Sequence, residues 1–344
     1  MLISTKSINN LADRISGSYE VFCSGLFLSA RWFAVSQLDY EGIQLIVLPD
    51  KDSAEYCAAD LYNLIEGDNV FFLPDSGKSL ERSNYKSTLG VQRTSSIGKI
   101  LEYKEGKLIV VTYPSALEEG IPDAGVIRNS LLKLTVGDEI SHDDIVDSLF
   151  ESGFERVDFV SEPGQFAIRG AIVDIFSYSY NNPFRISFFG DEIDSINIFD
   201  CNTQLSKEKV IVAEIYPDLV SSEEGENTVN ITGILPDDTL VWLDSSDMYG
   251  NKEFFKELQR FRRVYMELPL SRQDEDPVRF NITPQPSFNK NFELLTEDIR
   301  KRLEEGYRVR IYGEKQSQLE RLKSILSQNG GLMPEFIAQC NIHN

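Results

Sequence analysis

Apolar residues along this chain fall into three textures. Between residues 19 and 113 they form short unbroken runs, Tyr19–Ser24, Gln44–Leu48 (QLIVL), Val70–Leu73 and Leu108–Tyr113 (LIVVTY), each bounded by turn residues. Runs of this length without polar alternation read as strands covered on both faces. Ser53–Ile65 instead keeps its apolar residues on one helical face, opening near Asp52/Ser53 and closing at Gly67. Strand and helix in alternation predict a parallel α/β sheet.

The texture changes from about Ile121. Ser141 with Asp144 predicts a helix cap, the apolar residues Ile145, Val146, Leu149 and Phe150 share one helical face, and Gly153 ends the helix. Strand-rich sequence follows from Val157 to Phe199, with turns at Pro163-Gly164, Asn181-Asn182-Pro183 and Gly190-Asp191. This predicts a small α+β unit, mostly antiparallel. After about Val212 the first texture returns: Leu240–Leu243 is a strand and Phe288, Phe292, Leu295, Ile299 and Leu303 line a helix face. A strand over Tyr307–Tyr312 and a helix over Gln316–Gln328 follow. The expected organisation is one α/β domain in two pieces, residues 1–120 and 213–344, with residues 121–212 inserted into it. The polar stretch Ser221–Thr228 reads as a solvated loop.

Within the inserted unit, Phe166–Phe176 (FAIRGAIVDIF) is an apolar run with a cation in it. Read as one strand, it places Phe166, Ile168, Gly170 and Ile172 on one face and Ala167, Arg169, Ala171 and Val173 on the other. Phe184–Phe189 likewise turns Phe184, Ile186 and Phe188 to the core and Arg185 and Ser187 outward. Arg156, just before a strand Val157–Val160, joins them. Each arginine could be solvating the sheet beside an acid such as Glu155 or Glu162. Three of them among small residues point instead to a docking surface, since arginine is enriched at interface hot spots and small neighbours leave its planar fork accessible.

Charge sharpens that reading. Against 34 Lys and Arg stand 55 Asp and Glu, a formal net charge of -21, which repels a phosphate backbone. A protein surface is the better partner for the arginine face. Cys23, Cys57, Cys201 and Cys340 are widely spaced, without a CxxC pair, and only His142 and His343 are present, so neither a disulfide framework nor a zinc site is expected. No apolar run is long enough to span a bilayer and the start MLISTKSINN lacks a signal-peptide core, which predicts a cytoplasmic protein.

Two segments approach a phosphate loop. Gly77-Lys78-Ser79 has its ending, but Phe72 stands where the first glycine belongs. After the strand Tyr19–Ser24, Gly25 opens the same register, with Ala30 for the second glycine, Arg31 for the lysine and Trp32 for the magnesium-binding hydroxyl. The partner motif, an apolar strand ending in two acids, is Leu240-Val241-Trp242-Leu243-Asp244-Ser245, with serine for the catalytic acid. In this order on one sheet, they read either as a motor-like domain without nucleotide chemistry or as an ordinary α/β core with a chance likeness to one. Asp191, Glu192, Asp194 and Asp200 could suggest a magnesium site, but the Gly190-Asp191 turn accounts for two of these acids and no lysine stands nearby; no metal site is expected.

The segment GFERVDFVSEPGQFAIRGAIVDIFSYSYNNPFRISFFGDEIDSINIFDCNTQ closely resembles one shared by the bacterial transcription-repair coupling factors (the Mfd family) and the excision-repair subunit UvrB. In both, a G-[YF] start, an E-x-G-x-[FY]-x-x-RG core, a DIF and an FF-x-DEI-[DE]-S-[IL] hairpin recur. Pro284-Gln285-Pro286-Ser287-Phe288-Asn289 fits the coupling factors specifically. The resemblance implies a degenerate RecA/helicase-like domain 1 in two pieces, a UvrA-binding domain 2, and no enzymatic activity for this chain. The family's UvrA contacts fall on Arg156, Arg169 and Arg185, with Phe166, Ala167, Ala171 and Ser187 around them; Ala167 and Ser187 replace an arginine and an acid of UvrB. It further implies a fragment of a longer protein, whose ATP- and Mg-dependent translocase, RNA-polymerase-binding and double-stranded-DNA-binding modules lie beyond residue 344, and whose own carboxy-terminal domain masks the UvrA face. The rival function is a working UvrB-like nucleotide hydrolase and DNA clamp.

Overall fold

The computed structural model describes residues 5–67, 69–77, 83–180, 182–219, 228–244, 253–273, 275–283, 286–313, 315–328 and 333–338. Lys78, Ser79, Asn181, residues 221–227 of the polar loop, Ser245, Pro284, Gln285, Cys340 and His343 lie outside them. The first segment runs α1 (Thr5–Gly17), β1 (Glu20–Ser24), α2 (Ala30–Gln37), β2 (Gly42–Val47), α3 (Lys51–Leu64), β3 (Val70–Phe72), α4 (Ser83–Glu102), β4 (Lys107–Thr112) and α5 (Pro114–Glu118). The second runs β5 (Ile121–Pro122), α6 (Ala124–Ser130), β6 (Leu132–Thr135), α7 (His142–Glu151), β7 (Glu155–Arg156), β8 (Gln165–Arg169), β9 (Ile172–Phe176), β10 (Phe184–Phe189), β11 (Glu192–Phe199), β12 (Ser206–Val210) and β13 (Val212–Ile215). The third runs β14 (Thr228–Val229), β15 (Leu240–Leu243), α8 (Glu253–Leu258), β16 (Arg262–Tyr265), β17 (Val278–Arg279), α9 (Phe292–Glu304), β18 (Arg310–Gly313), α10 (Gln316–Gln328) and β19 (Glu335–Ala338).

Seven parallel strands form the main sheet in the order β17-β1-β16-β15-β2-β4-β3. Its unbroken apolar runs follow from helices on both faces: Ile46, Val111, Trp242 and Val264 face the layer of α1, α2 and α3, while Leu45, Val110, Val241 and Tyr265 face the other. Strands β15 and β16 sit between β1 and β2, so the third segment completes the sheet begun by the first. The strand at residues 310–313 does not join it; β18 pairs in parallel with β19 in a separate two-stranded sheet. Helices α1 and α4 and strands β16 and β17 are absent from the sequence reading. In α4 the reason is visible: Arg93, Thr94 and Ser96 are buried between Leu89 and Ile97, so the apolar stripe is interrupted. Arg93 is buried and gives hydrogen bonds to the carbonyls of Pro74 (2.8 Å), Ala116 (3.0 Å) and Glu119 (2.7 Å), closing the loop after β3.

The second sheet has the order β12-β11-β10-β9-β8-β7, antiparallel apart from the β7/β8 edge. Helix α7 and the β6/β13 pair cover one face, burying Leu134, Ile145, Leu149, Phe166, Phe184 and Ile186. The Ser141 cap forms as expected, its Oγ accepting from the Asp144 N–H at 3.1 Å. Phe166–Phe176 is not one strand but a hairpin, β8 and β9 joined by Gly170-Ala171, with Gly170 at φ +63°. A two-residue turn shifts the alternation: Ile172 is level with Arg169 and Val173 with Ile168, the reverse of the expected faces for those two residues.

Candidate functional site

The uncovered face of the second sheet is organised around one carboxylate. Asp174, in the middle of β9, lies level with Ala167 on β8 and with Arg185 on β10. It is only 1% exposed, so its charge needs partners. Arg185 supplies a fork, Nε to Oδ1 at 2.8 Å and Nη2 to Oδ2 at 3.0 Å. Arg169 reaches the same Oδ2 through Nη2. The arginines pair with this acid, not with Glu155 or Glu162, and two guanidinium groups on one carboxylate leave a local excess of one positive charge.

The two arginines differ in what they have left to offer. Arg185 also gives Nη1 to the Gln204 carbonyl (3.2 Å) and Nη2 to Gln204 Oε1 (3.0 Å), and lies 4.0 Å over the Phe199 ring. Four of its N–H groups are committed, of the roughly five a guanidinium carries, and its side chain is 18% exposed. Among the described residues Arg169 makes one hydrogen bond, its Nε has no partner, and its side chain is 35% exposed. Its guanidinium lies 5.2 Å from the ring centre of Phe159, an aromatic residue 62% exposed.

The remaining expected contacts separate. Phe166 is fully buried against α7, edge-on to Phe150 at 5.2 Å, so it supports the sheet and cannot present its side chain outward. Ala167 is buried too, in a small cluster with Val160, Phe176 and Phe199. The space beside the arginines is therefore filled by the protein's own chain, which corrects the expectation of an open patch there. Ala171 is exposed in the turn, and Ser187 is half-buried, level with Ile172 and Ser195. Arg156 is exposed on the edge strand but paired in register with Phe166, so it is not level with Arg169 and Arg185. The sequence reading missed Asp174, whose signal was a lone acid inside an apolar strand. It also missed the exposed Phe159, Leu205 and Phe189, the last 82% exposed at the tip of the β10/β11 hairpin. Of the carboxylates considered for a metal, Asp200 organises its own turn: Oδ1 accepts from the N–H groups of Asn202 and Thr203, and Lys207 pairs with Oδ2 at 3.0 Å. These hydrogen bonds hold its pKa down at about 2.

The segment after β1 and the end of β15, which the sequence likens to a nucleotide loop and its acidic partner, lie side by side. Gly25 follows β1 with φ +77°, Ala30 and Arg31 begin α2, and Trp32 is buried in the core beneath. Arg31 Nη1 pairs with Asp244 Oδ1, at 20% and 15% side-chain exposure. An arginine and an aspartate from the two segments thus pair across the loop; Ser245 is outside the described residues. Burial holds the Asp244 carboxyl above its ordinary range, opposed by Arg31 and reinforced by Glu267. The native state then binds this proton more tightly than the unfolded state, so the associated stability is present at low pH and lost as pH rises through the raised value. Asp244→Asn is expected to gain stability relative to the parent as pH rises from the ordinary carboxylate range upward. Urea midpoints of both proteins over that range check it; a difference independent of pH would contradict it.

Comparison with known proteins places this architecture. The model of the UvrB interaction domain matches residues 132–219, the stretch from β6 past β13 that contains the arginine-bearing sheet. The transcription-repair-coupling factor of Bacillus subtilis (strain 168) is 33% identical over 214 residues, 61% of this chain and 18% of that protein. That of Mycobacterium tuberculosis (strain CDC 1551 / Oshkosh) is 30% identical over 237 residues, 65% of this chain and 19% of the relative. That of Staphylococcus aureus (strain USA300) is 26% identical over 276 residues, 78% of this chain and 23% of the relative. The matched region spans about a fifth of the length of these relatives. Residues 132–219 match the UvrB interaction domain, and the chain that carries them is similar to the bacterial transcription-repair-coupling factors.

Proposed function

We propose that this chain is a recruitment module of transcription-coupled repair: the sheet of residues 132–219 docks UvrA, linking RNA polymerase stalled at a lesion to nucleotide excision repair. The observation that carries this reading is Arg169, held on Asp174 by one hydrogen bond among the described residues, with its side chain 35% exposed and its guanidinium over an exposed aromatic ring. In the domain organisation that goes with it, residues 1–120 and 213–344 form a degenerate RecA/helicase-like body and residues 121–212 the docking unit. RNA polymerase and double-stranded DNA are engaged by ATP- and Mg-dependent translocase modules of the longer protein, and its carboxy-terminal domain masks the docking face at rest. The protein works in the cytoplasm; among the described residues no helix is long and apolar enough to cross a membrane.

Calorimetric titration of UvrA into residues 1–344 tests the reading. Saturable binding is expected; no heat and no pull-down would sink it. A labelled ATP analogue with Mg tests the rival hydrolase. No binding is expected, because the Arg31–Asp244 pair and buried Trp32 occupy the positions of the loop lysine, acid and hydroxyl. Saturable micromolar binding of the analogue would favour the rival.

A further inference from the structure

We propose that the turn after β9, residues 177–180, is a latch that holds the second sheet in one orientation on the seven-stranded body, and that a side chain longer than alanine at Gly98 opens it. The two units have separate cores. The apolar cluster under the second sheet ends at Ile215, and the next residue, Tyr216, belongs to a cluster of the body. On the entering chain the same change falls between Leu131, packed on the body, and Leu132, packed under the second sheet. Leu132 and Ile215 pair in register, so both crossings pass between the cores side by side. Two neighbouring strands that cross at one level form a hinge, and units joined in this way move relative to each other unless a further contact stops them.

The turn supplies that contact, and α4 receives it. Ser177 Oγ, fully buried, accepts from the Tyr216 N–H at 3.0 Å, directly across the hinge. Ser95 Oγ on α4 donates to the Ser179 carbonyl at 3.5 Å, and Lys99, one turn further along, lies 5.5 Å from the ring centre of Tyr180. Between them Gly98 lets the two backbones approach: a Cβ built there would stand 3.4 Å from Ser179 Cβ and 3.6 Å from the Tyr216 ring. That is ordinary van der Waals contact, so alanine fits and a longer side chain must drive Ser179 or Tyr216 away. The contact is small and polar, and its hydrogen bonds exchange for bonds to water at little net cost when it parts. A cavity of about 1340 Å³ beside it, lined by Ser95, Lys99, Tyr178, Tyr180, Asn182 and Tyr216, gives the turn room to leave without disturbing either core. The device concerns orientation alone and holds whatever the uncovered face of the sheet binds.

Spin labels at Asp52→Cys on α3 and Asp147→Cys on α7, both exposed positions, test the latch by pulsed electron-spin distance measurement on the full chain. Cys201→Ser and Cys340→Ser remove competing thiols, while Cys23 and Cys57 are buried and stay. The parent and Gly98→Ala should each give one narrow distance distribution. Gly98→Leu should broaden it by about twofold or more, the freedom expected of joined units without a fixing interface, with the circular dichroism of the folded chain retained. Should Gly98→Leu not fold, Ser179→Leu places the wedge on the turn instead of the helix and is expected to broaden the distribution equally. A broad distribution in the parent, or a narrow one in a folded wedge variant, would overturn the proposal.

Discussion

Gly25→Val is expected to destabilise the chain by about 3 kcal/mol or more, combining the penalty of a left-handed backbone with that of forced overpacking. Gly25 has φ +77°, and a Cβ built on it would stand 2.0 Å from the carbonyl oxygen of Phe280. That oxygen belongs to the backbone that follows β17, whose N–H at Phe280 donates to Ser24 O at 2.8 Å. It cannot move aside without parting β17 from β1, which pair at Cys23/Val278 and Ser24/Arg279. The glycine that follows β1 is thus required by the close approach of an edge strand. The check is a urea midpoint compared with Gly17→Ala, where a Cβ meets open space and the shift should stay within about 0.5 kcal/mol. A Gly25→Val midpoint near the parental one would show that β17 yields easily.

Trp242→Ala should cost still more. Loss of a buried indole costs about 3–5 kcal/mol, and Trp242 is fully buried at the centre of β15. Its Nε1 also donates to Gln44 Oε1 at 3.0 Å from the neighbouring strand β2. Removing that donor strands a buried acceptor, worth about 1–3 kcal/mol more. The two contributions can be separated. Trp242→Phe keeps most of the packing and orphans Gln44; adding Gln44→Leu removes the acceptor together with a Gln44 Nε2 that has no partner among the described residues. The double variant should therefore be more stable than Trp242→Phe alone, with a coupling of about 1 kcal/mol or more between the sites. Additive losses in denaturant unfolding would mean that the hydrogen bond contributes nothing to the core.

Both predictions lie in the body that was read most directly from the chain. The runs QLIVL and LVWL are strands because they are apolar throughout and short, and such runs are stable only inside a sheet covered on both sides. Ser141 with Asp144 marks a helix start because a hydroxyl acceptor and a free N–H three residues on satisfy each other locally. The helix over Gln316–Gln328 has its predicted ends. Helix α4 escaped because it buries Arg93, Thr94 and Ser96, and a polar residue becomes a core residue only where distant carbonyls receive its donors. Strand β18 was legible as a strand but not as a member of a separate sheet, since partner choice is a long-range matter.

The same division runs through the candidate site. By itself the sequence determined that Arg169 and Arg185 lie on short strands of an antiparallel unit, and that Gly25, Arg31 and Asp244 terminate or follow strands of one sheet. Each of those facts depends on residues within about ten positions, a range over which pattern and turn chemistry decide. Only the tertiary structure decided that Gly170-Ala171 folds FAIRGAIVDIF back on itself, so that Asp174 arrives between the two arginines. It alone set Arg156 apart and buried Ala167. It likewise joined Arg31 to Asp244 across 213 residues of chain. Charges find partners through space, and burial then makes those pairings strong: an acid that reads as one polar letter in an apolar strand becomes, once desolvated at the floor of the sheet, the group that fixes where both guanidinium forks stand.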